Sequence, residues 1–182
     1  MNRYAYAYAY AFAFAVAMLS FAAAACSSDD DAADSDVIRI DEASDEILLT
    51  MRDLVDRGEG VTDDEAAPRM LTPTDGAELS AASPATFTWE HGSSTLRHGR
   101  TTGDFVWLSI SCAGLAEPID IIAIETEEWT VDADHWSAIT EAALASDSSQ
   151  CSAALIGAYV DRGVVREGPY LRTANPSYLI IE

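Results

Sequence analysis

From Pro68 onward the apolar residues come in short runs, most of them closed by Gly, Pro, Asn or Asp. This punctuation limits the fold more than any other feature, because it suits short strands joined by turns. Met70 and Leu71 lead into the turn Pro73-Thr74-Asp75-Gly76, followed by Leu79, Ser83-Pro84 and the alternating Ala85-Thr86-Phe87-Thr88-Trp89. Alternation sets Phe87 and Trp89 on one face. Further strands are predicted over 105–112, with Val106, Leu108, Ile110 and Cys112 on one side, and over 119–124, 129–131, 153–160 and 178–181. Residues 134–144 read as a short helix capped by Asp134, with Trp136, Ile139 and Ala143 facing inward. The expectation is an all-β sandwich of about seven strands over residues 66–182.

Averages over the whole chain hide this domain. Of 182 residues 49% are hydrophobic, but residues 4–25 contain one polar side chain, Ser20. Without residues 1–25 the chain is only about 43% apolar, ordinary for one soluble domain. The 31 acidic residues face 10 cations, all Arg. Such acidity argues against nucleic acid or an anionic membrane surface as partner, since both would be repelled.

The N-terminus has the three parts of an export signal: a cationic start (Met1, Asn2, Arg3), an apolar stretch in which Ala alternates with Tyr or Phe, and a small-residue run, Ala22 to Ala25. Ordinary cleavage near Ala23 to Ala25 and an uncleaved membrane span both fit this layout. Ala24, Ala25 and Cys26 together resemble the lipobox of bacterial lipoproteins, with Ala23 where that family usually has Leu. The resemblance implies a signal peptide over 1–25, lipid on Cys26 and attachment to a membrane. Ser27, in place of the Asp that would retain such a protein at the inner membrane, implies the outer membrane. Lipid on Cys26 also leaves Cys112 and Cys151 as an even pair in an oxidising compartment.

Residues 27–36 hold no apolar side chain larger than Ala and read as a tether, because they cannot offset the entropy of ordering themselves. Their Asp run lacks the Gly and distal Glu of a calcium loop. Within 37–57, Ile47, Met51, Leu54 and Val55 recur at helical spacing, and an acidic loop follows over 58–65. Whether this helix packs on the domain is left open by the sequence, so 26–65 is grouped as lipidated Cys, tether and short helix. Residues 27–65 carry 15 acidic residues and 3 Arg, a net charge of 3 − 15 = −12.

In the segment 66–182, Pro73, Gly76, Leu79, Pro84, Phe87 and Trp89 resemble the opening of a fibronectin type III or related immunoglobulin-like domain: a proline-glycine turn, then a second strand ending in Trp. The resemblance implies an immunoglobulin-like antiparallel sandwich, here with a short helix before the sixth strand, where Trp136 takes the role of a packed Leu. In that fold the third and sixth strands are antiparallel neighbours, which implies a Cys112–Cys151 disulfide at one sheet edge.

A search for chemistry finds no GxSxG elbow, HExxH, phosphate loop or calcium loop, and Asn175-Pro176-Ser177 fails as a glycosylation acceptor. No catalytic residue, metal or cofactor is expected. Asp132 and Asp134, near Glu127 and Glu128, read as a solvated acidic edge before a carboxylate pair or cation site. One cationic patch stands out: the 90–104 loop with His91, Arg97, His98 and Arg100. In the sandwich the loop before the last strand, with Arg162, Arg166, Arg172 and Tyr170, falls at the same pole. Arg97, His98, Arg100, Arg162 and Arg166 are therefore the candidate anion-binding set, for carboxylates, phosphates or an acidic glycan. The simpler alternative is that these Arg side chains pair with the protein's own carboxylates. The expected function is a cell-envelope lipoprotein whose domain binds an envelope protein or acidic glycan, or acts as a spacer. The competing expectation is a small exported hydrolase with a site near 91–104, built on His91 and Ser93.

Overall fold

The structure is a computed structural model that describes residues 37–40, 44–92 and 102–182, with backbone only at 102–104. In chain order the elements are β1 (Val37–Ile40), α1 (Asp45–Asp56), β2 (Val61–Thr62), β3 (Arg69–Thr72), β4 (Ala77–Leu79), β5 (Thr86–Glu90), β6 (Thr102–Cys112), β7 (Ile119–Ile124), β8 (Glu128–Thr130), α2 (Ala133–Leu144), β9 (Gln150–Asp161), β10 (Val164–Leu171) and β11 (Ser177–Ile181).

The architecture corrects the expected immunoglobulin-like, all-β sandwich. A mixed eight-stranded sheet runs β1-β7-β6-β9-β10-β2, with β11 pairing both β9 and β4, and a separate antiparallel sheet runs β3-β5-β8. Three pairs are parallel, β1 with β7, β2 with β10 and β4 with β11, and two helices complete the fold. The physical reason lies in the central strands, which are buried on both faces. In β7 the run Ile-Asp-Ile-Ile-Ala-Ile is buried at every position but the last. A strand with one solvated face would alternate with polar residues.

On one face of the large sheet, Val106, Leu108, Ile121 and Leu155 pack with Phe87, Trp89 and Trp129 of the small sheet and with Trp136 and Ile139 of α2. On the other, Phe105, Trp107, Ile122 and Ile156 pack against Ile47, Leu48 and Met51 of α1. β1 and α1 are therefore part of the packed structure. Ser44 caps α1 by accepting from the Glu46 amide, and Gly58, at φ 72°, ends it. The Gly58 and Glu59 amides donate to the carbonyls of Val55 and Leu54, a Schellman closure that favours glycine.

One buried polar cluster locks α1 to the sheet. Asp120 of β7 is 2% exposed, accepts from Trp107 Nε1 at 2.9 Å and pairs with Arg52 of α1. The Arg52 guanidinium also lies 5.8 Å from the centroid of the Trp107 ring, within cation–π range.

The expected short helix is present as α2, with Trp136, Ile139 and Ala143 buried. Its cap is Asp132, two residues before the expected Asp134, and the Asp132 carboxylate accepts from the Asp134 and His135 amides. The segment 164–171, read from sequence as loop, is instead β10, paired along β9.

Candidate functional site

The end of β5 and the start of β6 bracket the loop singled out by its cations. Ser93, Arg97, His98 and Arg100 lie outside the described residues, as does Cys26, so the site is built from what surrounds that loop. Glu90 ends β5, and His91 and Gly92 follow against the 66–68 segment. A Cβ on Gly92 would meet the Ala66 carbonyl oxygen at 1.9 Å, so glycine alone allows this approach.

Outside His91 and Gly92 lies a polar trough of about 310 Å³, lined by Asp64, Glu65, Arg69, Glu90 and Arg172. Both of its Arg side chains are engaged. Arg69 Nε pairs with Glu90 at 2.8 Å, and Arg172 donates to the Asp64 carbonyl at 2.6 Å. The Asp64 carboxylate accepts from the Thr173 amide at 2.7 Å, and that bond, ahead of the Arg172 charge, holds its carboxyl below the usual carboxylate range.

Inside His91 lies a small, partly open pocket, lined by Pro68, Gly157, Tyr159 and Tyr170 among others. A Cβ on Gly157 would fall 2.4 Å from the Pro68 ring, so the bare backbone of β9 forms that wall. His91 Nε2 and the Tyr159 hydroxyl are buried without a hydrogen-bond partner among the described residues, as is Trp89 Nε1 in the core. Burial, then the charges of Glu167 and Asp63, push the Tyr170 phenol upward. Tyr170, expected in the loop before the last strand, is a half-buried wall of this pocket in β10.

The described members of the cationic set divide. Arg162, at φ 53° in the β9–β10 turn, and Arg166 of β10 both face Asp161, at 3.9 and 3.7 Å. Asp161 is opposite Thr102, where β6 begins, so these two Arg stand beside the exit of the 93–101 segment. Arg172 lies past the far end of β10. The expected convergence of Arg162, Arg166 and Arg172 in one loop is corrected, because the intervening residues form an extended strand.

Cys112 and Cys151 are directly opposite across β6 and β9 and form a disulfide, both in the core. Of the acidic edge, Asp132 is the α2 cap, and His135 Nδ1 stands 2.6 Å from its second oxygen. Nearby Ser137 donates to Glu141. Among the described residues no group of three or more His, Cys, Asp or Glu is placed to hold a metal ion.

Sequence reasoning missed two features, the Arg52–Asp120–Trp107 cluster and Tyr159. Each had a signal: Asp120 is the polar intruder in the otherwise apolar β7, and Tyr159 carries a hydroxyl into the apolar run 153–160 of β9, where an isolated polar group needs a partner. No protein-family model, curated protein or solved structure matches the chain.

Proposed function

We propose that this chain is an exported lipoprotein of the cell envelope, held to the outer membrane through Cys26, whose folded unit serves as a binding or spacer module. The observation that carries this reading is the Cys112–Cys151 disulfide. Disulfides persist in oxidising compartments outside the cytoplasm, and this pairing leaves Cys26, directly after the small-residue run, as the third cysteine. A lipid-bearing Cys26 accounts for the odd number. The acidic segment 27–36 then spaces the domain from the bilayer. The cationic 90–104 segment is the part of the chain this reading offers to an acidic ligand, with Arg97 and Arg100 as its test residues.

The experiment is mass spectrometry of the protein from envelope fractions, together with Cys26→Ser. The expected result is a mature chain beginning at an acylated Cys26, and a substituted chain that leaves the membrane fraction. An unmodified Cys26 or an intact leader overturns the proposal. For the ligand surface, Arg97→Gln with Arg100→Gln is expected to weaken retention on an acidic glycan column. Unchanged retention removes that part of the reading.

A further inference from the structure

We propose that the cavity behind His91 is a binding site for one water molecule, which bridges the Tyr159 hydroxyl and His91 Nε2. Tyr159 is 4% exposed, and its hydroxyl and His91 Nε2 are both buried and bonded to no other group among the described residues. Both residues line the same cavity. Buried polar groups in folded proteins are almost always paired, with protein or with ordered water. The space open to a water centre there is about 10 Å³, about the room that one water takes and too little for an organic ligand.

The chemistry matches on both sides. A tyrosine hydroxyl donates and accepts, and a neutral imidazole nitrogen does one or the other according to its tautomer. Water can complement either state. The walls are not free to close over the space, because two of them are backbone brought together by glycine. Side chains at Gly157 and Gly92 would collide with Pro68 and with the Ala66 carbonyl. The water therefore fastens β9, in the middle of the large sheet, to the residues from which the 93–101 segment departs. It orients the His91 ring, which forms part of both the cavity and the outer trough.

The test is a high-resolution crystal structure of the mature protein, with water-oxygen magnetic relaxation dispersion on the same protein in solution. The crystal is expected to show one ordered water within about 3.2 Å of both atoms. Tyr159→Phe is expected to reduce the count of long-lived waters by one, whereas Tyr178→Phe, on an exposed ring, leaves it unchanged. An empty cavity, a protein group bonded to the Tyr159 hydroxyl, or an unchanged count in Tyr159→Phe overturns the proposal. If Tyr159→Phe does not fold, the density in the unsubstituted protein decides.

Discussion

Arg52 and Asp120 form one ion pair, yet the two ends are buried to different depths. The Arg52 side chain is 32% exposed and that of Asp120 only 3%. Removing Arg52 leaves a carboxylate in the core whose remaining side-chain partner is Trp107 Nε1, whereas removing the charge of Asp120 leaves a guanidinium that can turn to solvent. Arg52→Met is therefore expected to cost about 3–5 kcal/mol, the range for stranding a buried charge. Asp120→Asn, which keeps an acceptor for the indole, should cost less, about 1–2 kcal/mol. Urea unfolding of the two variants checks the order, and equal losses would refute it. The disulfide acts at the same scale. With its cysteines 39 positions apart, opening it should cost roughly 4 kcal/mol by the chain-entropy estimate. Unfolding Cys112→Ser/Cys151→Ser beside the oxidised protein measures this.

Among the elements, α2 gives the sharpest prediction. The His135 amide, then its imidazole, hold the Asp132 carboxyl below the ordinary carboxylate range. A depressed folded value stabilises above the unfolded value and is lost as pH falls through the folded one. Asp132→Ala should thus cost about 1 kcal/mol at neutral pH. The gap to the unsubstituted protein should close as pH falls below about 4. Thermal melts across that range test it, and a gap that widens in acid would be the wrong sign. The helix itself was legible, since Trp136, Ile139 and Ala143 follow a 3.6-residue period that packing then used. So were the core strands, and β7 matches the expected 119–124 in full. The tenth strand was hidden by Gly168 and Pro169, which read as a break in a strand. Its pairing shifts register between Glu167 and Tyr170, so the ladder accommodates them. Parallel pairing was not legible, because Val37–Ile40 is four residues long and its partner is known only once the chain has folded back. The candidate site was legible only in its location near His91; Tyr159 was hidden in a run taken for plain core.

Taken as a whole, the molecule depends on its first folded segment. Deleting 1–36 should leave the melting temperature of the domain unchanged, since 27–36 carries nothing that could pack. Deleting 1–57 removes β1 and α1 and uncovers Phe105, Trp107, Ile122 and Ile156. That chain is expected to aggregate, and a soluble, cooperatively melting product would show the sheet to be self-sufficient without α1. The antiparallel sandwich expected from sequence failed at this scale for the same reason: it assigned only one apolar face to strands that have two.

The three parallel pairs also govern when the domain can form. Each joins residues roughly 80 to 110 positions apart, and such closures are slow because chain entropy is lost before contacts repay it. Strand β4 has no partner until β11, the last strand, has been made. A nascent chain emerging from the ribosome therefore cannot finish its sheet, a delay compatible with the proposed export, in which a chain would thread a narrow translocation channel before it folds.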